Sequence, residues 1–402
     1  MPKILRIVNR FNLGGPAYSI AYLTKYLDPR FEIMLIGGQK DDFEESSEFI
    51  LQELGVEYTV LGAMRREINL KHDLRSYREL KKIISEFKPD IVHTHAAKAG
   101  AIGRLAAHKM KVPVIVHTFH GHVFHSYFGK LKTGFYKALE RYLAKKSTGI
   151  ITLSAMQHHE ICNIHKICPN EKALIVPLGI DLNRFQENQN MKRIQFRQEW
   201  NIEEETIAIG IVGRIVPIKN HSFFLKGLSK VKDLTRKKVT GVIIGDGDLT
   251  NAVKLEAKEL GLTISTATEN VPNADVVFTS WIKSIDVANA GLDIMCLTSL
   301  NEGTPVSLIE AQASSLPVIT TDVGGVKDII LDGKSGMLVN RNDFDKYVAF
   351  LLELTESKNQ REIMGAAGKE FVFANFHYDR FCKKMENIYS QLLDSVNIEK
   401  ND

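Results

Sequence analysis

Residues 294–311 read IMCLTSLNEGTPVSLIEA: four apolar residues, a short polar loop, and a run opened by threonine and proline. The apolar four predict a buried strand. Thr304 can cap free amides, and Pro305 at a first helical position gives up an N–H that has no partner there, so a helix is expected from about Val306. Strand, loop and helix in direct succession form the repeating unit of a sheet with parallel strands.

The loop also bears on function. The free amides of Val306 and Ser307, at the positive end of the helix dipole and with Gly303 allowing close backbone approach, predict an anion pocket. Glu302 lies on the loop in front of it and Glu310 one to two turns inside the helix. Two carboxylates flanking a phosphate site suit a ligand with hydroxyls on both sides of its phosphates, the layout of a nucleotide sugar. Taken alone, the pair reads equally as a solvated loop residue and an exposed helix residue.

The remaining chain repeats the strand–helix pattern twice. Apolar runs at 3–8, 31–36, 57–61, 91–95, 114–118 and 149–153 alternate with amphipathic segments near 43–54, 71–87, 99–109, 126–145 and 155–162. Between 184 and 205 the sequence turns polar and loses its apolar periodicity apart from short helical pieces, which predicts an inter-domain linker. A second alternation has strands at 207–212, 239–244, 275–278, 294–297 and 318–320, and helices at about 342–355, 359–374 and 378–395 end the chain. The expected architecture is α/β, with two doubly wound parallel-sheet domains at 1–185 and 186–375. The last helix carries a narrow stripe, Phe381, Met385, Ile388 and Leu392, suited to packing back on the first domain.

Length and charge agree with two domains of different work. A chain of 402 residues exceeds one ordinary core. Residues 1–185 hold 27 Lys and Arg against 18 Asp and Glu, a net +9, which leaves −5 for the remainder. With few aromatic stacking pairs, the basic half argues for an anionic small substrate or anionic lipid rather than nucleic acid. No apolar run approaches the roughly 20 residues that span a bilayer, and residues 1–8 run straight into a strand without a signal pattern, so a cytoplasmic protein is expected. Cys162, Cys168, Cys296 and Cys382 lack metal-ligand spacing and read as buried or idle thiols.

Strand ends in such a sheet collect functional residues. In the first half these are the Gly14–Gly15 turn, HTHAAKAG from His93, HTFHGHVF from His117 and VPLGID from Val176. The GxGxxG fingerprint of nicotinamide and flavin enzymes is absent. His120 is the leading histidine, a donor that can switch charge beside a reacting hydroxyl or a leaving phosphate. His117, His122 and His125 raise metal binding, but no carboxylate or cysteine stands near them. Residues 126–146 hold six Lys or Arg and one Glu, with aromatics between them. That helix can rest on anionic headgroups or simply lie solvated with its apolar face on the sheet. In the second half, Arg214 and Lys219 in GRIVPIKN can neutralise a diphosphate. GDGDL reads as a structural turn into a helix capped by Asp246 or Asp248, and Gly333 and Gly336 as turns.

In this order and spacing, the Gly14–Gly15 loop, HTFHG, VPLGID, GRIVPIKN, GDGDL, FTSW followed by Asp293, NEGTPVSLIEA and DVGG resemble glycosyltransferase family 4, the retaining nucleotide-sugar transferases of the GT-B fold. The resemblance covers nearly the whole chain and implies two Rossmann-like domains facing a cleft. It implies that Arg214 and Lys219 bind the donor diphosphate with the amides of Gly303, Thr304, Pro305, Val306 and Ser307, joined by Gly14 and Gly15. Pro305 contributes only its backbone course there, having no N–H. By the same resemblance Glu302 accepts sugar hydroxyls, Glu310 accepts ribose hydroxyls, His120 contacts the transferred sugar, and Ser280, Trp281 and Ile282 line the base. Ser280 replaces a glycine common at that place. The implied function is transfer of a hexose or N-acetylhexosamine from a UDP- or GDP-sugar to a glycan or polyprenyl-diphosphate-linked saccharide, in surface polysaccharide assembly, with peripheral membrane contact. No Asp-x-Asp pair suggests a metal, and no cofactor is expected. A sugar-nucleotide epimerase of the same fold and a non-catalytic nucleotide-sugar-binding protein are the alternative readings.

Overall fold

The computed structural model describes residues 1–12, 15–40, 46–65, 67–120 and 130–401 and divides into two units, Met1–Asp181 with Phe376–Asp402, and Leu182–Asn375. The first contains β1 (Lys3–Val8), β2 (Glu32–Gly38), β3 (Tyr58–Leu61), β4 (Ile91–His95), β5 (Val114–Thr118), β6 (Gly149–Thr152) and β7 (Ala173–Ile175). They form one parallel sheet in the order β3-β2-β1-β4-β5-β6-β7. The second contains β8 (Ile207–Val212), β9 (Val239–Ile244), β10 (Ile264–Thr266), β11 (Val276–Ser280), β12 (Ile294–Leu297), β13 (Val318–Thr321) and β14 (Gly336–Val339), in the order β10-β11-β9-β8-β12-β13-β14. Strand order reverses beside β1 and β4 in one sheet and beside β8 and β12 in the other. Ligand crevices of doubly wound sheets open at these switch points. The last residue of β4 is His95, and the segments that leave β8 and β12 carry Lys219 and Glu302.

Every apolar run expected as a strand is one. Three further strands, β7, β10 and β14, were not anticipated, and Gly336, expected in a turn, opens β14. All three are sheet edges of three or four residues, too short for a period-two pattern to declare itself.

The expected linker is not a linker throughout. Gln189–Glu199 is a helix of the second unit that buries Phe196 and Arg197. The Arg197 guanidinium donates to the carbonyls of Gly291, Glu203, Glu204 and Thr206 and to Asp293 Oδ2 at 2.6–3.1 Å. A polar residue therefore does the packing that apolar periodicity would have signalled. Division of the chain falls between 181 and 182, so Arg184 belongs to the second unit.

The final helix, Tyr378–Asn401, packs in the first unit, with Met385, Ile388 and Tyr389 buried against Ile4, Leu23 and Val114 and with Phe381 and Leu392 at the margin. Arg6, fully buried in β1, donates to Thr24 Oγ1 (2.6 Å) and Tyr389 Oη (3.4 Å). All four cysteines are buried and unpaired by disulfide.

Candidate active site

In the second unit, β8 and β12 are adjacent and their exits are knitted together. Leu300 N donates to the Ile218 carbonyl (2.7 Å), and Thr298 Oγ1 to the carbonyls of Lys219 (3.1 Å) and Asn220 (3.0 Å). This places Lys219 Nζ 2.5 Å from Glu302 Oε1, the same oxygen to which Ser299 Oγ donates at 2.5 Å. The sequence treated Lys219 and Glu302 as separate ligands for phosphate and sugar; the structure joins them as an ion pair. The loop is braced by the DVGG segment. Gly324 has φ 56°, a left-handed value that glycine tolerates, and a Cβ there would lie 1.7 Å from the Glu302 carbonyl, to which Gly325 N donates at 3.2 Å. Arg214 is exposed, and its side chain makes no hydrogen bond or ion pair with a described residue.

The helix after the loop is Val306–Ala313. Its N-cap is Pro305, with φ −72° and no side-chain cap, so Thr304 does not cap as expected and Pro305 precedes the first helical position. The first-turn amides, including Val306 and Ser307, lack intrahelical acceptors as at any helix start, and a Cβ at Gly303 would meet open space. An anion can approach here.

Glu310 is not the exposed residue of the simpler reading, being only 8% accessible. Arg184 Nη2 lies 3.7 Å from its Oε1. Burial pushes the Glu310 carboxyl up to about 7, with Arg184 pulling down and Asp286 pushing up. Arg184 was missed because the sequence around it reads as linker.

Ser280 and Trp281 end and follow β11, separated from β8 by β9. Ser280 has φ 59°, donates to Asp246 Oδ2 at 3.3 Å, and its carbonyl accepts from Gly245 N at 3.0 Å. Trp281 is 52% exposed, an open indole face suited to stacking. The GDGDL turn is structural, but neither aspartate caps the helix: Thr250–Glu259 has Leu249 at its N-cap, and Asp246 Oδ1 instead accepts from Gly247 N (2.8 Å) and Thr250 Oγ1 (2.5 Å).

In the first unit, Gly14 lies outside the described residues and Gly15 begins the helix Gly15–Lys25. Gly121, His122, His125 and residues 126–129 also lie outside them. His120 follows β5, and its Nε2 is 2.9 Å from His95 Nδ1 at the end of β4. Burial lowers the His120 pKa to about 4 and those of His93, His95 and His117 well below the usual range, so the cluster is uncharged near neutrality. His93 is bonded to Tyr389 Oη (2.6 Å) and Thr118 Oγ1 (2.7 Å), and His117 to Thr94 Oγ1 (2.9 Å). VPLGID is a packing seam: Val176, Leu178 and Ile180 are buried, and a Cβ at Gly179 would lie 2.5 Å from Phe381. Among the described residues no group of three or more His, Cys, Asp or Glu could hold a metal ion.

Comparison with known proteins places these features. The family model "Glycosyltransferase Family 4" matches residues 13–184 and "Glycosyl transferases group 1" matches residues 192–371. The chain is 29% identical over 330 residues to the UDP-Gal:alpha-D-GlcNAc-diphosphoundecaprenol alpha-1,3-galactosyltransferase of Escherichia coli, covering 82% of each chain. It is 26% identical over 338 residues to the capsular polysaccharide biosynthesis glycosyltransferase CapM of Staphylococcus aureus, covering 82% of this chain and 84% of that one. In fold it is similar to Anabaena HepE, solved in complex with UDP and glucose (TM-score 0.79, 16% identity, 97% and 100% of the two chains), and to sucrose-phosphate synthase of Thermosynechococcus elongatus (TM-score 0.78, 16% identity, 98% and 100%). With two parallel seven-stranded sheets, glycosyltransferase structural neighbours and family matches over both halves, the chain belongs to glycosyltransferase family 4 and has the GT-B fold.

Proposed function

We propose that this glycosyltransferase moves a hexose or N-acetylhexosamine, with retention at the transferred carbon, from a UDP-sugar to a polyprenyl-diphosphate-linked saccharide in surface polysaccharide assembly. The observation that carries the donor half is the Lys219–Glu302 pair at the foot of the helix beginning at Val306, with buried Glu310 inside the same helix. Lys219, Arg214 and the helix amides hold the diphosphate, Glu302 and Glu310 accept sugar and ribose hydroxyls, and His120 meets the transferred sugar. The identity of the acceptor follows the similarity to the Escherichia coli galactosyltransferase.

The chemistry is a same-face displacement. The bond from the sugar carbon to the leaving diphosphate breaks, a bond to the acceptor oxygen forms on the same face, and the acceptor proton passes to the departing phosphate oxygen. Cations and amides stabilise that leaving charge, so no metal is required of the protein. Incubation with UDP-galactose, UDP-glucose or their N-acetyl forms and a GlcNAc-diphospho-lipid tests both points. An α-linked disaccharide product formed equally with and without EDTA is expected; no transfer from any UDP-sugar overturns the reading, and loss with EDTA restored by Mg²⁺ or Mn²⁺ overturns metal independence.

Work on a lipid-linked acceptor calls for a membrane-facing surface, and we place it on the first unit. No described helix is long and apolar enough to cross a membrane. The basic segment forms the helix Lys130–Lys145, anchored by the buried Glu140–Arg104 pair (2.7 Å) while Phe135 (66%) and Tyr142 (51%) stand exposed seven residues apart on one face. Lys132 and Lys145, both exposed, flank them. Exposed aromatics among cations suit an anionic interface. Flotation with phosphatidylglycerol vesicles at low salt is expected, weakened by high salt and by Phe135→Ala with Tyr142→Ala; absence of flotation at low salt removes the membrane from this picture.

A further inference from the structure

A cavity of about 160 Å³ in the first unit is lined by Asn9 and Phe11 beyond β1, Ile20, Leu51, and the strand-end histidines His95 and His120. Pockets that enclose drug-sized ligands run to roughly 300–1,000 Å³, so this one suits a single ring. Its polar chemistry is unfinished. Asn9 Oδ1, His95 Nε2 and His120 Nδ1 are buried and have no hydrogen-bond partner among the described residues, and His95 as a whole is only 3% accessible. Buried polar atoms without partners are uncommon and costly, and their clustering in a cavity marks a place where a ligand supplies the partners.

The bond between His95 Nδ1 and His120 Nε2 (2.9 Å) constrains what the free atoms can be. In a neutral pair exactly one proton lies in that link. When His95 Nδ1–H donates, His95 Nε2 is a lone pair and His120, accepting at Nε2, carries its proton on Nδ1. When His120 Nε2–H donates, the roles of the two free atoms exchange. In both cases the rings share one tautomer, and the cavity meets one N–H and one lone pair. The neutral state is favoured by burial, and by Arg6, His93 and His117 around His95. The His93 ring lies 4.1 Å behind that of His95 and is itself fixed by Tyr389 and Thr118.

We propose that His95 is a second sugar-contacting residue, and that His95 and His120 act as one coupled unit presenting one N–H and one lone pair to the hydroxyls of a sugar ring bound in this cavity. A hydroxyl group both donates and accepts, so the pair suits it in either tautomer, whereas a carboxylate or ammonium would match only half of it. The inference rests on the reading that His120 touches a sugar.

The full-length protein tests it with His95→Asn, which keeps a polar group near Nδ1 for His120, and His95→Gln, which keeps one near Nε2 for the ligand; His120→Asn is the reference. Affinities for UDP and UDP-galactose are compared by calorimetry, and the KM of a GlcNAc-diphospho-lipid is measured separately. UDP affinity unchanged with UDP-galactose weakened roughly tenfold, the scale of one lost hydrogen bond, assigns the cavity to the donor sugar. A raised KM for the lipid acceptor alone assigns it to the acceptor sugar. The Gln variant should lower kcat more than the Asn variant, because it frees the His120 ring. Side-chain ¹⁵N spectra of the unmodified protein should show both rings in the same neutral tautomer. Opposite tautomers, or a charged ring at pH 7.5, overturn the coupling whatever the variants do. An effective His120→Asn with inert His95 variants overturns the role of His95 alone, and an inert His120→Asn overturns the reading beneath it.

Discussion

Lys219→Ala is expected to lower the affinity for a UDP-sugar, and with it kcat/KM, by roughly a thousandfold, about 4 kcal/mol, the scale of an ion pair broken in a desolvated place. The size comes from two losses in one substitution. The diphosphate loses a cation, and Glu302, whose side chain is 11% exposed, keeps its charge with only the Ser299 hydroxyl against Oε1. That stranded carboxylate then repels the anion the site is built to hold. The Arg214 side chain is exposed and pairs with no carboxylate among the described residues, so Arg214→Ala removes a cation without stranding an anion, and about 2 kcal/mol is expected, as for a charge-assisted contact. Adding Glu302→Gln to Lys219→Ala should recover part of the UDP affinity while sugar-dependent binding stays low. Calorimetry with UDP and UDP-sugar, beside urea denaturation to set aside loss of fold, reads these effects. Equal losses in Lys219→Ala and Arg214→Ala would show that the ion pair does not govern the site.

The contrast between Lys219 and Arg214 is also a contrast in what a sequence can carry. Most strands were legible because they are short apolar runs buried on both faces, as in β9, where every residue from Val239 to Ile244 is buried. The loop-to-helix junction at Val306 was legible from local chemistry. The pairing of Lys219 with Glu302 was not, since it spans 83 residues and depends on β8 and β12 lying side by side. His95 stood within a strand-end segment the sequence singled out, yet nothing local announces its bond to His120. The burial of Glu310 did leave a trace. VSLIEAQA is apolar or small on nearly every side, the mark of a helix enclosed by its own domain, and a carboxylate inside such a helix is a buried one. Arg184, its partner, was hidden by a polar neighbourhood whose helix packs through Arg197.

Glu310→Gln should abolish a pH dependence that the parent protein shows in both stability and donor affinity. In the unfolded chain the carboxyl ionises near its ordinary 4.5, whereas burial keeps it protonated in the fold until about 7. Between those values the folded state holds the extra proton, so stability is full below about 4.5 and falls as pH rises through 7. At 1.36 kcal/mol per pH unit the whole contribution is on the order of 3 kcal/mol, with the attraction of Arg184 at 3.7 Å already contained in the value of about 7. Urea denaturation at pH 8 should therefore find Glu310→Gln more stable than the parent by about 1–3 kcal/mol, with the difference vanishing only below the unfolded value, at about pH 4. Donor binding runs in the opposite sense. Ribose hydroxyls donate to a carboxylate more strongly than to a carboxylic acid, so the affinity of the parent for a UDP-sugar should rise between pH 6 and 8 and then level. The diphosphate of a UDP-sugar has no ionisation near neutrality, and His120, lowered to about 4, is already uncharged there. The proton released on binding at pH 6.5, measured by calorimetry in two buffers of different ionisation enthalpy, should then come from Glu310 and be absent in Glu310→Gln. A flat affinity profile in the parent, or equal proton release in both proteins, would remove Glu310 from the ribose.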